Sequence, residues 1–261
     1  MVKVKDIAEV IEEFAPKALQ ESYDNAGLQV GDPEADVNAV LLCLDVNEDV
    51  LKEARERECN LVVSHHPLIF RGIKQLTGAD TTQRLVMQAL MNNTAVYSAH
   101  TNLDSVWDGV SHEIAGRLSV KNLEVLEPQP NNPRAGLGVV GNIKPVPKIE
   151  FLRKIKETFK VAALRYSAQS PSVVVRRVAV CGGAGASLIS SAIKANADIL
   201  VTGDVKYHDF TSFGSDIIIA DIGHYESELC SREILSRVIR EKFPDLTIYF
   251  SDSESNPIKI L

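Results

Sequence analysis

"VNAVLLCLDVNEDVLKEARERECNLVVSHH", residues 37–66, decides the fold. It opens on an apolar run, "AVLLCLDV" (39–46), of the kind that fills a strand buried on both faces. The next stretch, "NEDVLKEARERE" (47–58), is amphipathic at helical spacing, with Asn47 placed to cap it. A second apolar run, "LVVS" (61–64), follows, and then two adjacent histidines and a proline. Strand, helix and strand in that order make a crossover between parallel strands.

The alternation continues downstream. "TTQRLVMQALMNN" (81–93) reads as a helix, "AVYSA" (95–99) as a strand and "DGVSHEIAGRL" (108–118) as a helix. Residues 124–147 hold five of the 11 prolines and read as a connection carrying one strand, "LGVVGNI". The βα order resumes with strands at 176–183, 198–204, 216–221 and 247–252, and a long helix is expected over 226–243. Sliding the chain by 138 positions lays residues 175–204 over 37–66 without a gap, with Cys181 on Cys43 and Ala192 on Ala54. The next strand recurs too: His100 is followed four residues on by Asp104, and His224 four residues on by Glu228. The expected fold class is α/β, as two related lobes with mixed, mostly parallel sheets, the first over 1–125 and the second over 126–261.

Composition places the chain among ordinary globular proteins, with 45% hydrophobic and 24% charged residues. A net charge of -7 offers no general attraction for nucleic acid, which is not an expected partner. No stretch approaches the ~18 apolar residues of a membrane span. The first 16 residues pattern as an amphipathic helix rather than a leader, and none of the four cysteines forms a C-x-x-C pair. A cytoplasmic location with reduced thiols is the expectation.

Five of the six histidines (His65, His66, His100, His208 and His224) fall at or shortly after predicted strand ends, and His112 falls inside a helix. Ligands of open α/β sheets bind at the carboxyl ends of strands. Imidazole with carboxylate is a donor set for Fe, Zn, Mn, Ni or Co, and two neighbouring ions need several such donors. His65 and His66 in a turn could each reach one ion, with Pro67 stiffening the turn. His224 and Glu228, one helical turn apart, share a face, Glu226 points away, and Asp104 adds a second carboxylate. Singly, each has a plain alternative: a surface histidine pair, or a helix cap. "CGGAGAS" (181–187) reads either as a phosphate cradle or as a packing turn. Why Tyr23, Asp24 and Asn25 stand together in "ESYDNAGLQVGD" (21–32) has no local explanation.

The motifs "YDNAGLQVGD", "VVSHHPLIF", "YSAHTNLD", "GDVKYHD" and "DIGHYESE", in this order along nearly the whole chain, resemble the Nif-three-like family, whose members are often described as GTP cyclohydrolase I type 2. The resemblance implies a dinuclear metal centre in a cleft between two α/β lobes, with two divalent ions per subunit held by His65, His66, Asp104, His224 and Glu228. His100 and His208 would lie near the metals as proton-transferring groups. It also implies a toroidal homohexamer, a trimer of dimers, without a large inserted domain. The implied activity is metal-dependent opening of the guanine imidazole ring of a small-molecule substrate such as GTP. Phosphoester hydrolysis, or a metal-delivery or regulatory scaffold without turnover, are the alternatives. Arg71, Lys206, Tyr207 and Tyr225 are the basic and aromatic residues nearest the motifs. Tyr23 stands where the family often has Trp.

Overall fold

The computed structural model describes residues 1–168 and 174–261. In chain order the first helix, α1 (Val4–Phe14), is followed by β1 (Gly27–Val30), β2 (Ala39–Cys43), α2 (Glu48–Glu56), β3 (Leu61–Ser64), α3 (Thr81–Met91) and β4 (Ala95–Ser98). Next come α4 (Thr101–Ser105), α5 (Val110–Arg117), β5 (Lys121–Gln129), β6 (Asn132–Pro147), α6 (Lys148–Thr158) and β7 (Arg165–Tyr166). The remainder is β8 (Val174–Ala184), α7 (Ile189–Lys194), β9 (Ile199–Gly203), α8 (Tyr207–Phe213), β10 (Ile218–Asp221), α9 (His224–Glu228), α10 (Ser231–Lys242) and β11 (Thr247–Phe250). Asn47 caps α2 as expected, its side chain accepting from Val50 N–H at 2.9 Å.

Two compact units result: Met1–Leu103 with Ser231–Ser255, and Asp104–Cys230 with Asn256–Leu261. The first holds a five-stranded sheet, β1-β4-β3-β2-β11, in which only β1 runs antiparallel to its neighbour. The second holds a six-stranded sheet, β5-β6-β8-β9-β10-β7, with β8, β9 and β10 parallel and the outer strands antiparallel. The parallel strands β2, β3, β9 and β10 are buried at every position, which is why they read as unbroken apolar runs.

The internal repeat holds at the level of register. Val40 pairs with Leu61 in the first sheet and Val178 with Ile199 in the second, so the 138-residue overlay maps one pairing onto the other. This division differs from a split at 125/126. The chain enters the second unit at Asp104, and α10 and β11 return to the first, where β11 pairs in parallel with β2 from Thr247↔Ala39 to Phe250↔Leu42. Without β11, the outer edge of β2 would expose a row of unpaired backbone groups.

Two local expectations change. Residues 121–147 form a long antiparallel pair, β5 and β6, rather than a connection with one strand. Pro128 is tolerated because β5 is an edge strand, while Pro145 falls within the register shift of β6 and Pro147 at its end. The helix expected over 226–243 is two helices, interrupted where the chain passes between units at Cys230 and Ser231.

The return of β11 also buries a carboxylate. Glu53 on α2 accepts from the hydroxyls of Ser251 and Ser253 at 2.6 Å each and from the Asp252 and Ser253 N–H groups at 3.0 and 3.1 Å. Burial pushes its pKa up, but these hydrogen bonds outweigh it and hold the carboxyl at about 2. A folded pKa below the unfolded value contributes stability that is present above about pH 4.5 and lost as pH falls toward 2. Glu53→Gln is therefore expected to cost up to about 3 kcal/mol at pH 7, with the difference from the parent closing between pH 4.5 and 2 in urea titrations.

Candidate metal centre

In the first unit, the ends of β3 and β4 gather three histidines. Past Ser64 the chain keeps bonding to the end of β2 and the residue after it: His65 N–H donates to Cys43 O at 3.2 Å and His66 N–H to Leu44 O at 2.9 Å. Ser64 Oγ lies 2.8 Å from His66 O and 2.8 Å from Ser98 Oγ, which fixes the turn. The rings of His65, His66 and His100 stand 5.2–5.5 Å apart, centroid to centroid. His65 is fully buried, and His66 and His100 are partly exposed.

Each of these rings has its Nδ1 on an acceptor. His65 Nδ1–H donates to Ala99 O at 2.7 Å, His66 Nδ1–H to Asp45 at 2.8 Å and His100 Nδ1–H to Asp24 at 2.8 Å. That tautomer puts the lone pair on Nε2, the arrangement by which metal-ligating histidines are oriented. Asp24 is buried, which pushes its pKa up. Hydrogen bonds from His100 and Thr101, with the charge of His100 and the Asn25 N–H, outweigh burial and hold it well below the usual carboxylate range. Asp45 is held in turn: Glu254 accepts its N–H at 2.8 Å and that of Leu44 at 2.6 Å.

The second unit carries a matching arrangement at the ends of β9 and β10. His224 and Glu228 bound the single turn of α9, with Nε2 and Oε2 2.8 Å apart. His224 Nδ1 lies 2.8 Å from Asp204 Oδ2. Two carboxylates on one imidazole call for positive charge there, supplied by a proton or by a metal ion. Asp221 ties the two loops together, accepting from Gly223 N–H at 2.9 Å and Val205 N–H at 3.0 Å and pairing with Arg165. Asp104 on α4 and the buried Glu228 both bear on Cys181. Burial first, and then these two negative charges, push that thiol far up, so Cys181 is neutral and offers no thiolate.

Residues 2–257 match the family model described as Duf34/NIF3 (NGG1p interacting factor 3). The chain belongs to this family. It is 36% identical over 241 residues to a GTP cyclohydrolase 1 type 2 homolog of Clostridium acetobutylicum, covering 90% of this chain and 89% of the relative. A protein of the same name from Clostridium perfringens is 34% identical over 265 residues, covering all of both chains. The crystal structure of Staphylococcus aureus protein SA1388 superposes with a TM-score of 0.90 at 24% identity, over 100% of this chain and 99% of that one, and shows the same fold.

Within this NIF3-family chain, the remaining histidines part company. His112 is buried in α5 against Trp107, ring centroids 4.3 Å apart, and burial lowers its pKa. His208 is exposed at the start of α8 with its ring on Tyr207, centroids 5.4 Å apart. The glycine turn after Cys181 resolves as packing: Gly183 N–H donates to Ser227 Oγ and Gly185 N–H to Thr202 Oγ1, both at 2.9 Å. Those donors are used within the fold and do not face a phosphate. The carboxylates Asp24, Asp45 and Asp204 were not legible as imidazole partners in the sequence. Asp24 does explain the unaccounted "YDN", and Asp204 stands at the overlay position of His66.

The donor set fits divalent cations. Four strand-end imidazoles have their Nδ1 engaged, and carboxylates but no thiolate are on hand.

Proposed function

We propose that this chain is a divalent-metal-dependent hydrolase with a dinuclear centre, acting on a small molecule such as GTP. The proposed ligands are His65 and His66 of the first unit and Asp104, His224 and Glu228 of the second. The observation that carries this reading is the shared orientation of His65, His66 and His224, each with Nδ1 held by a carbonyl or carboxylate. The names of the two clostridial relatives support a nucleotide substrate.

A divalent ion held there supplies Lewis acidity toward water and toward the substrate. Asp45 and Asp204 keep His66 and His224 in the Nδ1–H tautomer and raise their basicity. His100, backed by Asp24, accepts or returns a proton at Nε2, a role suited to an imidazole near neutral pH. His208 was the other candidate for that role; its exposed position on Tyr207 favours His100. The assembly proposed with this function is a homohexamer, which light scattering checks as six times 28.6 kDa. Among the described residues no helix is long and apolar enough to cross a membrane.

The test is anaerobic purification, metal quantification and incubation with GTP and with a generic phosphodiester. Turnover of either by the metal-loaded protein, lost on chelation and restored by one divalent ion, is the expected result. Full metal occupancy with neither substrate consumed overturns the hydrolase reading and leaves a metal-binding or metal-delivery protein. Asp45→Asn and Asp204→Asn are each expected to weaken metal binding by about 10- to 100-fold while leaving thermal unfolding close to the parent's.

A further inference from the structure

The loop after Pro67 and the start of α3 enclose a pocket of about 720 Å³, within the size range of small-molecule sites, that the metal ligands do not use. Arg71 and Lys74 line it, both exposed, and neither forms an ion pair or hydrogen bond with any described residue. The acidic residue in the lining, Asp80, is engaged in capping α3: its two oxygens accept the Gln83 N–H and side-chain amide at 2.8 Å each. The pocket is thus locally cationic in a chain of net charge -7.

Phe70 lines the same pocket, and its ring centroid lies 6.3 Å from that of Tyr23 and 6.3 Å from that of His100. Tyr23 is 62% exposed and Phe70 45%, so two large rings stand in water beside the histidine cluster. Exposed aromatic faces beside unpaired cations combine the two features that bind a planar ring bearing an anionic tail.

We propose that this pocket is the recognition site for a phosphorylated planar heterocycle, a nucleotide in chemical class. Arg71 and Lys74 contact the phosphate oxygens, and Phe70 and Tyr23 cover the ring. The proposal rests on the hydrolase reading only for what happens to the ligand afterwards; the binding is a property of the first unit's own residues. It makes Arg71 and Lys74 the residues that separate phosphorylated from unphosphorylated substrates.

The test titrates the metal-loaded full chain with GTP, guanosine and inorganic triphosphate by calorimetry, with metal content measured on each sample. Arg71→Ala/Lys74→Ala is expected to weaken GTP and triphosphate at least about tenfold and guanosine less than about twofold, since two charge-assisted contacts are lost. Tyr23→Ala/Phe70→Ala is expected to do the converse, weakening guanosine and GTP at least about fivefold and sparing triphosphate. These side chains are exposed or partly so, and circular dichroism confirms that each variant is folded. A double cation variant that binds GTP like the parent, or a parent that binds none of the three probes at millimolar concentration, overturns the proposal. GTP binding that follows this pattern in metal-loaded protein that consumes neither GTP nor the phosphodiester supports the pocket while overturning the hydrolase reading, so the two fail separately.

Discussion

His65→Ala is expected to lower divalent-metal affinity at least about 100-fold, or about 2.7 kcal/mol, and to remove metal-dependent turnover. Three features make this the most sensitive position. The ring is fully buried, so water does not readily stand in for the lost donor. Its Nδ1–H is committed to Ala99 O at 2.7 Å, leaving Nε2 as the ligating atom in a fixed direction. It stands just past the end of β3, where the backbone is still bonded to the last residue of β2 and does not shift to bring another donor in. Glu228→Ala is expected to match it, because Glu228 is the buried carboxylate of the second unit's donor set. Calorimetric titration with Zn, Mn and Fe(II), beside elemental analysis, measures both variants. His112→Ala serves as a comparison, expected to lose stability through its contact with Trp107 and to keep the full metal load. Full occupancy in both His65→Ala and Glu228→Ala would show that the ligands lie elsewhere.

Gly183→Ala is expected to do comparable damage without touching a donor. Gly183 sits at φ +60, where a side chain is strained, and a Cβ there would stand 2.0 Å from Glu228 Oε1 and 3.0 Å from its Cδ. The backbone cost is about 1 kcal/mol, and relief of the overlap requires the Glu228 side chain to leave its position. That side chain is buried and its Oε2 lies 2.8 Å from His224 Nε2, so displacing it disrupts the pair. A loss of about 2–4 kcal/mol in urea denaturation and a fall in metal affinity of at least about tenfold are expected together. Gly116→Ala makes the contrast. Gly116 lies near the end of α5 with nothing within 4 Å of its Cβ position, and the substitution is expected to stabilise by about 0.5–1 kcal/mol. Unchanged stability and metal binding in Gly183→Ala would mean that Glu228 has another accessible position.

The Nδ1 partners show where sequence reading stopped. His65, His66, His100 and His224 were recognisable because each follows an apolar run, and such runs are a local signal. Asp24 reaches His100 across 76 residues, Asp45 reaches His66 across 21 and Asp204 reaches His224 across 20. No local pattern marks an aspartate as the partner of a distant imidazole. Only the sheet order, which sets loop ends side by side, makes those pairs. The hairpin of β5 and β6 was missed for a different reason. Its prolines read as breakers; Pro128 is compatible with strand because β5 has a single neighbour, and Pro145 and Pro147 because they fall at the register shift and the end of β6.

The sequence by itself determined the α/β class, the repeated strand–helix–strand unit and the placement of imidazoles at strand ends. All of these follow from the period of apolar residues over a few turns or pleats, an interaction between near neighbours in the chain. The tertiary structure alone decided that α10 and β11 return to the first sheet, that Glu53 is buried under that return, and which carboxylate holds which histidine. β11 pairs with residues about 208 positions earlier, and what selects that partner is the unsatisfied edge of β2, a demand created only once the first sheet exists.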